Sequence, residues 1–362
     1  MHVDWNWIKQ RPHFLFEELT KFSSIDLFYV KKLIDINAKK INNPKVTYSQ
    51  SDTFILRKLP FSARSSIVRW FEQRINSSRL KSLLSNYQII WITSPIVLDF
   101  IPVSILANKV VIYDCMDDFT GFYSASPFWR QKDATEKEQT LIRNSDFIFA
   151  SSQYLKNKIS MDYRDDFKRE PLVINNGIST GLLELDISDY QYEENKNKDF
   201  NLTYIGTVGD WFDFDLIIKV LERYKNINVT LIGPIDTEIA HHPRLNMLGP
   251  VEHHALPKYG VNADALVMPF KLSELIRSVD PVKIYEYIKF EKPIIAIKYE
   301  EMDKFGSFVN LYSSEIELFG IIEELMSGKL RKIETKDGRA FLNSHTWEMR
   351  VKQIHEIVKA YI

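Results

Sequence analysis

The sequence predicts an α/β protein of two doubly wound, Rossmann-like domains facing a cleft. Short β-branched or aromatic runs alternate with longer amphipathic segments, the pattern of a parallel sheet covered by helices on both faces. The alternation breaks at Asp186–Lys198 (DISDYQYEENKNK), a polar stretch with no apolar period, and then restarts. At 362 residues the chain also exceeds what a single core usually organises, about 250–300 residues.

In chain order, Ile25–Val30, Gln88–Thr93, Lys109–Asp114, Asp146–Ser151 and Pro171–Gly177 read as strands. Arg11–Lys21, Ser65–Ser85 and Gln131–Asn144 read as the helices between them. After the break the strands are Asn201–Gly206, Ile227–Gly233, Leu245–Gly249, Asp264–Phe270 and Lys292–Ile297, with a helix over Phe214–Tyr224. Trp347–Ala360 carries Val351, Ile354, Ile357 and Val358 at helical spacing. These signals give an N-terminal domain over 1–180, a second over 181–345, and a closing helix over 346–362 that either caps the second domain or returns to the first.

Composition sets the class. Hydrophobic residues make up 45% and charged residues 26%, the balance of an ordinary globular protein. A net charge of −1 gives no overall attraction to nucleic acid. The single cysteine, Cys115, excludes an internal disulfide and suits a reducing compartment. The N-terminus has charges and aromatics where a signal peptide needs an apolar run, and no run approaches the roughly 20 residues of a membrane helix. A cytoplasmic protein is expected, with attachment to the inner face of the membrane left open.

The most informative stretch is Ala265–Ile297: a buried strand, a polar loop, a short helix and a second buried strand. Asp280 is expected to cap the helix, with Pro281 at its first position. Ile284, Tyr287 and Ile288 should face the sheet, while Lys283 and Glu286, three apart, should lie together on the exposed side. Open α/β sheets bind ligands beyond the carboxyl ends of their strands. A cation and a carboxylate there suit a ligand with phosphates and a diol, such as a nucleotide sugar. Lys271 and Arg277, in the preceding loop, are further candidates for phosphate or a donor carboxylate.

Gly206, Thr207, Val208 and Gly209 form a G-x-x-G turn between strand and helix, which could bring backbone amides to a phosphate. The G-x-G-x-x-G dinucleotide fingerprint is absent. Asp114, Asp117 and Asp118 crowd the end of VVIY, where like charges raise one pKa toward neutrality and so suit a general base. The pairs His241–His242 and His253–His254 lack carboxylate–histidine metal spacing, and no metal or other cofactor is expected. Between Leu56 and Leu84 the cations Arg57, Lys58, Arg64, Arg69, Arg74, Arg79 and Lys81 face one acid, Glu72. Ile67, Trp70, Phe71 and Ile75 run between them, so this stretch suits either an anionic membrane surface or a solvated domain face.

Several of these segments together resemble GT-B glycosyltransferases. The donor half is matched by YIGTVGDWFD, VTLIGP with LNMLGPVEHHALPKYG, and MPF…DPVKIYEYIKFEKPII. QRPHFLFEEL near the N-terminus and VIYDCMDDF (Val111–Phe119) are similar to a bacterial polysaccharide subgroup that includes teichuronic-acid-type transferases and the xanthan glucuronosyltransferase. The resemblance implies a UDP-type donor, with Glu286 on the ribose, Lys283 on the diphosphate, and Arg11 and His13 facing the cleft near acceptor or sugar. It points to Asp117, then Asp118, as base of an inverting transfer to a saccharide or lipid-linked acceptor. The retaining members' first glutamate is replaced by Ser278, and Phe290 and Glu291 stand where a small residue and a glycine are usual. A sugar-nucleotide epimerase of the same fold, or a non-catalytic nucleotide-sugar-binding subunit, would carry many of the same features.

Overall fold

The computed structural model describes residues 5, 9–32, 53–60, 62, 65–190, 199–239, 241–252, 255–330 and 333–361. The chain divides into two compact units, Met1–Asn175 with Val351–Ile362, and Asn176–Arg350.

The first unit begins with α1 (Arg11–Leu19), followed by β1 (Leu27–Lys32), β2 (Thr53–Lys58) and α2 (Ser66–Leu84). It continues through β3 (Ile89–Ile92), β4 (Val110–Cys115), α3 (Phe128–Asn144), β5 (Phe147–Ala150), α4 (Gln153–Asp162) and β6 (Leu172–Val173). Strands β3 to β6 pair in sequence order, all parallel, and β1 pairs with β2, also parallel. The central strands are apolar on both faces, because helices cover the sheet from each side. Val111, Ile112, Tyr113, Ile148, Phe149 and Ala150 are accordingly almost inaccessible.

The second unit holds α5 (Thr180–Glu184), β7 (Phe200–Ile205), α6 (Phe214–Arg223), β8 (Ile227–Ile232), β9 (Leu245–Gly249), α7 (Leu256–Val261) and β10 (Ala265–Met268). Then come α8 (Glu274–Arg277), α9 (Val282–Lys289), β11 (Ile294–Ile297), β12 (Val309–Tyr312), α10 (Glu315–Met326) and α11 (Thr335–Asn343), while α12 (Trp347–Val358) starts in this unit and from Val351 onward belongs to the first. Its six parallel strands run β12-β11-β10-β7-β8-β9. Counted within the unit this is the order 3-2-1-4-5-6 of a doubly wound sheet, whose direction of winding reverses between β7 and β10. Both units have the fold class read from the sequence.

Three sequence expectations change. The pattern does not predict the strand β2 with its pairing to β1, the edge strand β12, or the helices α4, α5, α7, α10 and α11. The loop before α9 contains a helical turn, α8, capped by the Ser273 hydroxyl. Asp280 is not the helix cap: Pro281 takes that position and the helix starts at Val282. Asp280 is instead buried and accepts from the Asn176 amide, from Lys304 Nζ at 2.7 Å and from the Tyr285 hydroxyl at 3.3 Å. A buried carboxylate with three donors gains more from them than from one exposed helix amide.

Candidate functional site

The site in the second unit is assembled at the β7/β10 switch point. Beyond Thr203, β7 and β10 no longer pair. The Tyr287 hydroxyl from α9 fills the gap, accepting from the Ile205 amide at 2.7 Å and donating to the Ile205 carbonyl at 3.3 Å. The loops after the two strands then meet again: Asp213 N donates to Pro269 O, Lys271 N to Trp211 O, and Phe212 bridges Phe270. Two loops held in this way make a rigid floor at the place where doubly wound sheets take their ligands.

Gly206 and Gly209 owe their lack of a side chain to the protein itself. A Cβ on Gly206 would fall 2.6 Å from the Tyr204 hydroxyl, and one on Gly209 would fall 2.6 Å from the Trp211 ring. The amide of Val208 is bonded to Pro234 O, so it does not face outward as expected. Thr207 is half-buried, and its carbonyl accepts from the Tyr204 hydroxyl at 2.9 Å. The crossing of the next loop is equally tight: Gly233, at φ +143°, passes so close to the Gly206 carbonyl that a Cβ would overlap it.

On α9, Ile284, Tyr287 and Ile288 are buried against the sheet as expected. Glu286 is also buried, at 5% exposure, which corrects its placement on an exposed face. Lys283 Nζ lies 2.7 Å from Glu286 Oε2, with the lysine about a quarter exposed. Cation and carboxylate are therefore held as a pair, the carboxylate inward and the cation at the rim. Arg277 is engaged with Glu300 at 2.7 Å, and Lys271 lies 3.7 Å from Asp215. Ser278 is fully buried, its hydroxyl turned back on the Leu275 carbonyl.

The three aspartates of the first unit divide their work. Asp114 is inaccessible and takes Arg11 through two guanidinium nitrogens, Nε at 3.0 Å and Nη2 at 2.8 Å. Arg11 Nη1 reaches the Ile174 carbonyl at 2.8 Å, so this side chain fixes the start of α1 to the ends of β4 and β6. Asp118 accepts from the Gly121 amide at 2.9 Å and pairs with Lys158 at 2.6 Å, closing the turn after β4. Asp117 keeps partial solvent access, and its carboxylate has no hydrogen bond or ion pair among the described residues. Desolvation by burial raises its pKa to about 6, against the pull of Arg11, with the charges of Asp114 and Asp118 adding smaller upward contributions. Of the three, Asp117 has the free lone pairs and the basicity of a general base.

Arg11 and His13 are both built into the N-terminal turn of α1. His13 Nδ1 accepts from the Gln10 amide at 3.1 Å, which leaves Nε2–H to donate to the Trp5 carbonyl at 3.2 Å. Its ring stacks on Trp5 with centroids 4.3 Å apart, and burial lowers its pKa. Both ring nitrogens of His13 are used and both side chains are buried, so in this structure the two residues hold the start of α1.

In the basic segment, Ile67, Trp70, Phe71 and Ile75 are all more than half exposed along the outer face of α2. Arg74 sits over the Trp70 ring at 5.4 Å. Arg69 does not belong to that face: it turns inward to Asp133 at 2.8 Å and Asp99 at 3.8 Å. Glu72 is buried and accepts from the Leu59 amide. Arg57 falls on β2 and Arg79 on α2, while Arg64 and the pair His253–His254 lie outside the described residues. His242 Nδ1 accepts from the Arg244 amide. Among the described residues no helix is long and apolar enough to cross a membrane.

The architecture is that of glycosyltransferase structures. The chain superposes on sucrose-phosphate synthase from Thermosynechococcus elongatus with a TM-score of 0.70 at 14% identity, over 96% of this chain and 92% of that one. It matches the Anabaena protein Alr3699/HepE in complex with UDP with a TM-score of 0.63 at 14% identity, over 85% and 86%. In sequence, the chain is 26% identical over 202 residues to the Bacillus subtilis (strain 168) protein named "Putative teichuronic acid biosynthesis glycosyltransferase TuaH". That match spans about half of each protein, 51% of this chain and 49% of the relative. No family model matches the chain.

Proposed function

We propose that the chain is a glycosyltransferase that moves a sugar from a UDP-linked donor to a saccharide or lipid-linked acceptor in bacterial surface-polysaccharide assembly. The observation that carries this reading is the Lys283–Glu286 pair at the β7/β10 switch point. Glu286 would accept from the ribose hydroxyls, and Lys283 would turn to the diphosphate and stabilise the charge that grows on it as the glycosidic bond breaks. The UDP complex of Alr3699/HepE and the name of the Bacillus relative support the donor class and the pathway type.

The chemistry follows from the charges available. Asp117 removes the proton of the acceptor hydroxyl, the oxygen attacks the anomeric carbon, and UDP departs, inverting the configuration. Lys283 supplies the cation at the leaving group, and the reaction runs without a metal ion. The exposed aliphatic and aromatic stripe of α2, with Arg74 and Lys81 beside it, holds the enzyme on the anionic membrane that carries a lipid-linked acceptor.

The deciding experiment is calorimetric binding of UDP and a panel of nucleotide sugars to the wild type and Glu286→Ala, followed by turnover with a cell-envelope lipid extract. UDP-selective binding weakened by the substitution, with acceptor-dependent release of UDP, supports the reading. Turnover with donor alone would indicate an epimerase. Selective binding with no turnover would indicate a non-catalytic subunit.

A further inference from the structure

The turn after β7 spends its peptide groups unevenly. Along an extended segment the N–H and C=O groups of alternate residues face opposite neighbours. Gly206 and Val208 face the β8 side: Gly206 N donates to Ile232 O at 2.8 Å, Val208 N to Pro234 O at 2.8 Å, and Val208 O accepts from Asp236 N at 2.9 Å. Ile205 and Thr207 face the other way, toward the gap where β7 and β10 have parted. Tyr287 covers both backbone groups of Ile205 there. At Thr207 only the carbonyl is covered, by the Tyr204 hydroxyl at 2.9 Å. The Thr207 amide makes no hydrogen bond among the described residues.

A second aromatic aims the Tyr204 proton. The phenol oxygen is hydrogen-bonded to Trp211, whose indole nitrogen can only donate. Burial raises the Tyr204 pKa and this bond lowers it, the sign of a donor at the oxygen. An oxygen that accepts from Trp211 gives its one proton to Thr207. Both rings are held in place for this. Tyr204 is buried and lies edge-on to Phe212 at 5.1 Å and to Phe270 at 5.9 Å. The Trp211 ring lies over Gly209, where a Cβ would fall 2.6 Å from it.

The polarity of the turn follows from that relay. A bare Thr207 carbonyl facing the gap would repel phosphate oxygens, and a covered one does not. The open amide beside it suits a group made only of acceptors, as a diphosphate is. We infer that Tyr204 and Trp211 are positioning residues of the donor site: together they mask the Thr207 carbonyl and leave the Thr207 amide as a hydrogen-bond donor to the diphosphate of the nucleotide sugar. This rests on the donor reading of the β7/β10 site given above. A fixed amide of this kind gains most when negative charge grows on the departing phosphate.

The test is binding of UDP by calorimetry, and of uridine by ligand-observed NMR, to wild type, Tyr204→Phe, Trp211→Phe and the double variant. Thermal melting confirms that each one folds. Tyr204→Phe should lose about tenfold in UDP affinity and nothing for uridine, because the uncovered carbonyl opposes only the phosphates. Trp211→Phe, which leaves β7 untouched, should show the same split with a smaller loss. The double variant should lose no more than Tyr204→Phe alone, since both residues act through one hydroxyl. Equal losses for UDP and uridine, or an unchanged UDP affinity in Tyr204→Phe, overturn the inference. Losses that add in the double variant overturn the relay through Trp211. A wild type that binds neither ligand overturns the donor reading itself, and this inference with it.

Discussion

Replacing Asp117 with asparagine should make the protein more stable at neutral pH while removing transfer. The folded protein holds the Asp117 proton up to about pH 6, whereas the ordinary carboxyl value is 3.8. Between those values the folded state binds more protons than the unfolded chain, so stability falls as pH rises through the window. Two pKa units correspond to roughly 3 kcal/mol, the upper limit of what ionising this group costs the native state at pH 7.5. Asparagine keeps the shape and never ionises. Urea unfolding of wild type and Asp117→Asn should therefore give similar midpoints near pH 4 and separate by up to about 3 kcal/mol at pH 7.5, the variant being the more stable. Wild-type turnover should fall about tenfold per pH unit below about 6. A variant that is equally or less stable at pH 7.5 would refute the desolvated-carboxylate reasoning, and retained turnover would remove Asp117 as the base.

Other substitutions separate positioning from contact. Glu286→Ala should weaken UDP binding by about 10- to 100-fold, the worth of hydrogen bonds to a charged group, and unchanged calorimetric affinity would end the ribose assignment. Arg11→Met strands the buried Asp114 carboxylate and should cost about 3–5 kcal/mol in urea unfolding. It should also move the acid limb of the pH–rate profile upward, because the guanidinium lowers the Asp117 pKa. A raised KM with unchanged stability and pH profile would instead restore the sugar contact. Tyr287→Phe leaves the Ile205 peptide without its partner and should cost about 1–3 kcal/mol; UDP affinity should fall with it, and an unaltered melt and affinity would show that the clasp is dispensable.

Most strands, and the helices α1, α2, α3, α6, α9 and α12, are legible because their periodicities are local. Val111–Tyr113 and Ile294–Ala296 are continuous apolar runs, since sheets covered on both faces need no polar side. β2 is hidden because TFILRK mixes charge with apolar residues and is held by parallel pairing to β1, a partner distant in sequence. β12 is a four-residue edge strand, VNLY, too short and too polar to separate from a loop. The spacing of Lys283 and Glu286 is likewise a local fact, since residues three apart on a helix are neighbours.

The sequence by itself determined the parallel strands of both units, the short helix that carries Lys283 and Glu286, and the clustering of carboxylates after VVIY. Only the tertiary structure decided which members of those clusters remain available for chemistry. Asp114 and Asp118 are taken by Arg11 and Lys158, and Asp117 is left over. Asp280 is taken by Asn176 and Lys304, and Tyr287 reaches across to the last residue of β7. Asn176, Arg11, Tyr287 and Lys158 lie 40 to 104 positions from the groups they bond. Spacing along the chain reports which groups are neighbours on one element, but the satisfaction of a buried charge depends on whatever element packs against it.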